Sequence, residues 1–163
     1  MSALDQAQVT YEGFIESFRS AILATVSAEG APDASYAPFV ADAAKNFYIF
    51  VSGLSSHTVN LSATQRASIL FIDDEAQTTE IFARRRLSYA CVARLLPRDT
   101  PEWEAIADQF QQKFGDLIET LRNLSDFRIY QLTPESGRFV LGFGQAYQID
   151  GNSLGQLKPV RGR

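Results

Sequence analysis

The sequence predicts a mainly β fold with flanking helices, built on a mostly antiparallel sheet that can close into a small barrel. Three observations lead there. Six or seven strand-like apolar runs recur along the 163 residues, joined by short turns, which favours antiparallel neighbours. Helical spacing of apolar residues is confined to three or four stretches. Closing such a sheet would also remove its exposed edges. The length fits one domain over residues 1–163, with 45% hydrophobic and 21% charged residues, an ordinary globular composition.

The elements follow in chain order. Leu4 to Arg19 reads as a helix, with Tyr11, Phe14, Ile15 and Phe18 at helical spacing. The strand Ala21–Ser27 follows, then a turn in which Gly30 supplies a positive φ. Asp33–Val40 is extended again, and Pro38 within it signals an edge or a bulge. Asp42–Asn46 is a hairpin loop and Phe47–Ser52 the third strand. A short helix over 56–63 leads to a strand over 67–73. After a polar loop, strand-like residues resume at Ile81, and Arg86–Leu96 is a long strand. Thr100, Pro101 and Glu102 open a helix as cap, first helical residue and dipole partner. Trp103, Ile106, Phe110, Phe114, Leu117 and Leu121 form its apolar stripe, which Gly115 is expected to divide. Two last strands are expected over Asp126–Leu132 and Arg138–Ile149. Gly142 and Gly144 in the second would clear one face for a close approach. The polar tail, residues 151–163, is expected to be mobile at its end.

Whole-chain totals exclude several classes of function. A net charge of −4 disfavours a general nucleic-acid binder. One cysteine, Cys91, allows no intramolecular disulfide and fits a cytoplasmic protein, and its strand position predicts a buried, inert thiol. One Cys and one His do not make a dedicated zinc site, and triad chemistry has little support. No apolar run approaches the roughly 20 residues of a membrane span, and the N-terminus lacks a signal peptide's apolar core.

The segment Asn46–Glu75 carries the most chemistry: a strand runs through a Ser-Gly turn into a short helix, and a second strand ends in acid. The single histidine, His57, sits at the helix start, among Ser52, Ser55, Ser56, Thr58 and Asn60. Helix-start N–H groups, hydroxyls and an imidazole suit an anionic cofactor. Plain capping explains the same serines without any ligand. Arg84, Arg85 and Arg86 precede a strand, and in an extended chain Arg84 and Arg86 share a face that could clamp a phosphate or carboxylates. A solvated strand edge is the alternative. Arg66, Lys45 and Asp126 are weaker candidates, and Asp73, Asp74 and Glu75 read as a solvated strand end.

In order, S-A-I-L-A-T-V-S, E-G-A-P-x-A-S-Y-A-P-F and F-Y-I-F-V-S-G-L-S-S-H-T-V-N-L resemble the pyridoxamine-5′-phosphate-oxidase-like split barrels. R-A-S-I-L-F-I-D-D-E, A-R-R-R-L, S-D-F-R-I-Y and G-R-F-V-L-G-F-G-Q-A-Y are similar to the haem-utilisation branch, which includes haem-degrading proteins. The resemblance implies a six-stranded antiparallel split β-barrel and a homodimer with two sites between subunits. It implies haem or FMN as cofactor, with Ser52, Ser55, Ser56, His57, Asn60, Arg84 and Arg86 as cofactor-binding candidates. In that branch the proximal iron ligand is typically a histidine in a C-terminal loop. Residues 155–163, G-Q-L-K-P-V-R-G-R, contain none. Three expectations follow: haem binding through His57 or another group, with oxidative haem cleavage if active; an FMN-dependent oxidoreductase; or a non-catalytic dimeric regulatory domain.

Overall fold

The computed structural model describes residues 1–161. Six strands close a barrel: β1 (Ser20–Val26), β2 (Pro32–Ala41), β3 (Phe47–Ser52), β4 (Arg66–Ile72), β5 (Arg86–Leu95) and β6 (Phe127–Gly142). Their spatial order is β3-β2-β1-β4-β5-β6, every pairing is antiparallel, and β6 returns to pair with β3. β7 (Gln145–Asp150) and β8 (Lys158–Pro159) extend the sheet beyond β6. Helix α1 (Ala3–Gly13) precedes the barrel. α2 (Ser56–Thr64) links β3 to β4, and α3 (Pro101–Phe114) with α4 (Leu117–Leu121) links β5 to β6.

Two apolar cores follow from the alternation of side chains along the strands. Leu23, Phe39, Phe47, Ile49, Ile69, Phe71, Leu87, Tyr89, Leu132 and Phe139 fill the barrel, with Tyr11 and Phe14 of the N-terminal segment and Leu61 of α2 packed against them. A second core lies outside, where Trp103, Ile106 and Phe110 of α3 cover Tyr48, Phe50 and Ile129. β3 is therefore buried on both faces from Phe47 to Val51. The α3 start is as expected: the Thr100 side chain accepts from Trp103 N, Pro101 opens the helix, and Gly115 ends it at φ 86°.

The structure corrects the sequence reading at four places. The N-terminal helix stops at Gly13, and Phe14–Ser17 form a 3₁₀ turn. Ile81–Ala83 is also a 3₁₀ turn rather than strand. The last region is not two strands broken at Thr133–Gly137, because β6 runs unbroken through it. There β6 changes partner on one edge, from β3 (ending at Leu132) to β7 (starting at Ser136). On its other edge the β5 register shifts at Ala90/Cys91, leaving Glu135 unpaired. A proline and a bulge are tolerated where a strand is unpaired on one side. Gly142 ends β6 opposite Gln145, and Gly144 at φ 68° lies in the hairpin turn between β6 and β7, so the pair borders and makes a chain reversal rather than lying within one strand.

Pro38 lies at a comparable switch, since β2 pairs with β1 through Pro38 and with β3 from Phe39. The tail is docked as far as residue 160. Leu157 is buried, Gln8 bonds both Gly155 O and Leu157 N, and Tyr11 Oη donates to Leu154 O. Residues 162 and 163 of that tail lie outside the described residues. Among the described residues no helix is long and apolar enough to cross a membrane.

Gly137 is required by packing. A Cβ there would lie 2.6 Å from the Tyr89 ring and 3.0 Å from Ser88 O. The Tyr89 ring is buried and its hydroxyl is bonded to Tyr11, so it cannot swing away. Gly137→Ala is therefore expected to destabilise the fold by about 1–3 kcal/mol, read from the midpoint of urea unfolding.

Candidate functional site

β3 ends in a tight turn that sets the start of α2. Gly53 N donates to Asp126 O at 2.6 Å, and a Cβ on Gly53 would lie 2.7 Å from that same oxygen. Only glycine lets the chain pass so close to the start of β6. The turn then delivers Ser55 as the cap residue of α2, and its side chain makes no capping hydrogen bond. Ser52 Oγ accepts from Leu54 N, and Thr58 Oγ1 donates to Ser52 O. Ser52, Ser55, Ser56 and His57 are thus gathered on one short stretch, and Ser56 is exposed.

His57 is half-buried, and its Nδ1 lies 3.0 Å from Ser35 Oγ on β2. Nε2 has no protein partner among the described residues. Burial holds the imidazole pKa below its usual value, opposed in part by the nearby Asp33 carboxylate. Asn60 behaves differently from its neighbours. It is buried and donates to the buried Thr25 Oγ1 at 3.0 Å, anchoring α2 on β1.

The arginines lie elsewhere, where β4 ends and β5 begins. Arg84 Nε donates to Asp73 O at 2.6 Å, and Arg86 Nη1 donates to Arg84 O at 2.9 Å. Arg85 pairs with Asp73 at 2.7 Å and lies over the Phe14 ring, and Arg84 Nη1 lies 4.0 Å from Glu75 Oε2, so Arg86 is the one of the three with no carboxylate partner among the described residues. Beside them Ile81, Phe82 and Phe143 are exposed, by 49%, 85% and 68%. A cleft of about 240 Å³ there is lined by Asp73, Glu80, Arg85, Leu141 and Phe143. Among the described residues no hydrogen bond or ion pair links this group to α2. The order β2-β1-β4-β5 puts about 14 Å of sheet between Ser35 and β5.

Two contributors were not legible in the sequence. Ser35 reaches His57 only across a strand, and Arg128 places its guanidinium carbon 3.5 Å from the Cβ position of Gly53. Arg128 stands opposite Val51 in the β3–β6 register, a contact with no local sequence signal. Cys91 is buried as expected, and burial pushes its thiol up to about 12, so it is inert at neutral pH.

A family model described as pyridoxamine 5′-phosphate oxidase matches residues 8–141. Heme oxygenase HutZ of Vibrio cholerae serotype O1 is 42% identical over 132 residues, covering 81% of this chain and 74% of the relative. A crystal structure of HutZ, there called the heme storage protein, aligns with TM-score 0.73 and 35% identity over 76% of this chain and 87% of that one. ChuZ of Campylobacter jejuni aligns with TM-score 0.85 and 32% identity, covering 98% of this chain but only 64% of ChuZ.

The His57 environment has a consequence for pH. Its folded-state pKa lies below the ordinary value of about 6.5, so the unfolded chain binds the proton more readily. Its contribution to stability is therefore complete above about pH 6.5 and is lost as pH falls through the window below that value. Urea midpoints measured from pH 7.5 to 5 should fall less steeply in His57→Gln than in the native chain.

Proposed function

The chain belongs to the pyridoxamine 5′-phosphate oxidase family, and on that premise we propose that it binds haem in haem and iron utilisation. The observation that carries this is the 42% identity to heme oxygenase HutZ. The side chains fit the group. Haem is a flat apolar macrocycle with two carboxylates at one edge. Arg84 and Arg86 beside Ile81, Phe82 and Phe143 offer cations next to exposed apolar surface. The hydroxyls of Ser52, Ser55 and Ser56 and the free Nε2 of His57 offer a second polar contact, and the His57 imidazole is of a kind that can ligate iron.

The α2 group and the arginine group do not meet in one protomer, and a homodimer resolves this. In our reading each site takes Ser52, Ser55, Ser56 and His57 from one protomer and Arg84 and Arg86 from its partner. The outer face of β1, β2, β4 and β5 suits such an interface. Ile22, Tyr36 and Val92 are exposed there by 42%, 68% and 41%, among the small residues Ala24, Ala34, Ser68 and Ala90. A broad patch of this kind marks an interaction surface.

Bound haem would supply the redox chemistry of an oxidative cleavage, given oxygen and a reductant. The work of this chain is to hold the carboxylates, orient the ring and cover it. Arg84 is suited to that task because its Nε is already fixed on Asp73 O, which lowers the conformational cost of binding. Asn60, committed to Thr25, acts by fixing α2 rather than by touching ligand.

A second reading rests on the family model itself. An FMN-dependent oxidoreductase would use the serines and His57 for the flavin phosphate. The purified protein would then be yellow and would not respond to haem.

Titration with haem should give a saturable Soret band at one haem per protomer. The double variant His57→Ala/Arg84→Ala should bind at least tenfold more weakly, as expected when charge-assisted contacts are lost. An unchanged titration in that variant removes these residues from the site. Ala24→Arg places an unpaired charge in the proposed interface and should convert a dimer to monomer in sedimentation velocity, with haem binding lost alongside.

A further inference from the structure

We infer that Arg128 is a further binding residue of the ligand site, holding an oxyanion of the ligand at the Gly53 turn. This rests on the function proposed above and adds a contact that neither the sequence motifs nor the family match assigns. The geometry comes from the barrel closure. Arg128 stands opposite Val51 in the β3–β6 register, and Gly53 follows Val51 by two residues. The two positions therefore share a side, and the guanidinium lies against the turn, with Cζ 3.5 Å and Nη2 3.6 Å from the Gly53 Cβ position. The turn leads directly to Ser55, Ser56 and His57. The hydroxyls of Ser55 and Ser56 make no hydrogen bond within the protein among the described residues.

Arg128 also differs from most other arginines. Arg66, Arg84, Arg85, Arg94 and Arg122 all lie within ion-pair distance of a carboxylate. Arg86 and Arg98 donate to backbone carbonyls. Among the described residues Arg128 has no ion pair and donates no side-chain hydrogen bond. Its backbone is fixed in the strand that closes the barrel, and its side chain is exposed. A guanidinium with all five donors available, against the turn that leads to two free hydroxyls and a free imidazole nitrogen, has the chemistry to take a carboxylate or a phosphate in bidentate fashion. The shared chemistry is an oxyanion, supplied either by a haem propionate or by a flavin phosphate.

The test compares ligands that differ only in that group. The native chain, Arg128→Ala, Arg128→Gln and Arg128→Lys are titrated with haem, haem dimethyl ester, FMN and riboflavin, and their melting temperatures are compared. If Arg128 holds a propionate, Arg128→Ala and Arg128→Gln weaken haem about tenfold and leave the dimethyl ester unchanged. Arg128→Lys should lose less. If it holds a phosphate, the same variants weaken FMN and spare riboflavin. Haem and FMN affinities equal to the native chain in both charge-removing variants overturn the inference while leaving the proposed function standing. So does an equal loss for the charged ligand and its neutral counterpart. A native chain that binds neither haem nor FMN overturns the proposed function and this inference together.

Discussion

The pairing of β3 with β6 is the constraint on which the rest of the structure depends. It runs from Phe47↔Leu132 to Ser52↔Phe127 and closes the sheet, so neither strand is left as an open edge. Closure puts Phe47, Ile49 and Val51 inside the barrel and leaves Tyr48 and Phe50 for α3 to cover. One strand thereby joins both cores. The last rung also fixes where the chain must turn. The bond from Gly53 N to Asp126 O continues the ladder by one step and releases the chain into α2. The position of Ser55, Ser56 and His57 is thus set by the end of a ladder, and the same ladder places Arg128 against the Gly53 turn that leads to them.

Most strands and the α3 start were legible because their signals are local. Thr100, Pro101 and Gly115 act within a few residues of themselves, and the apolar runs of β1, β3, β4 and β5 are uninterrupted by turn residues. Thr133–Gly137 misled for a physical reason. A proline and a glycine in sequence signal a turn, but here they sit where a strand passes from one neighbour to another. Gly142 and Gly144 misled in the opposite direction, since the strand pattern around them conceals a hairpin. In the candidate site, the α2 group was legible as a cluster because its members are adjacent in sequence. The inward turn of Asn60 and the approach of Ser35 and Arg128 were not, since each depends on a neighbouring strand.

The site chemistry follows from which polar groups the fold has already used. Asn60 is committed to Thr25, Nδ1 of His57 to Ser35, and Arg85 to Asp73. What remains uncommitted is Nε2 of His57, two serine hydroxyls and the guanidinium of Arg128. The Arg86 guanidinium completes the set, beyond the Nη1 that holds Arg84 O, whereas Arg84 is held by Asp73 O and lies 4.0 Å from Glu75. These are donors or an imidazole nitrogen, which is why an anionic amphiphile fits better than a cation or a neutral sugar. The sheet between α2 and the arginines is also why a second protomer is central to the account.

Mixed dimers test that claim most directly. His57→Ala and Arg86→Ala protomers, each unable to bind haem tightly alone, would be unfolded together and refolded at equal concentration. If each site draws on both protomers, half of the dimers carry one intact site. Tight haem binding should then return to about a quarter of the native capacity. No recovery in dimers shown to have exchanged would contradict the shared site and place both groups in independent roles.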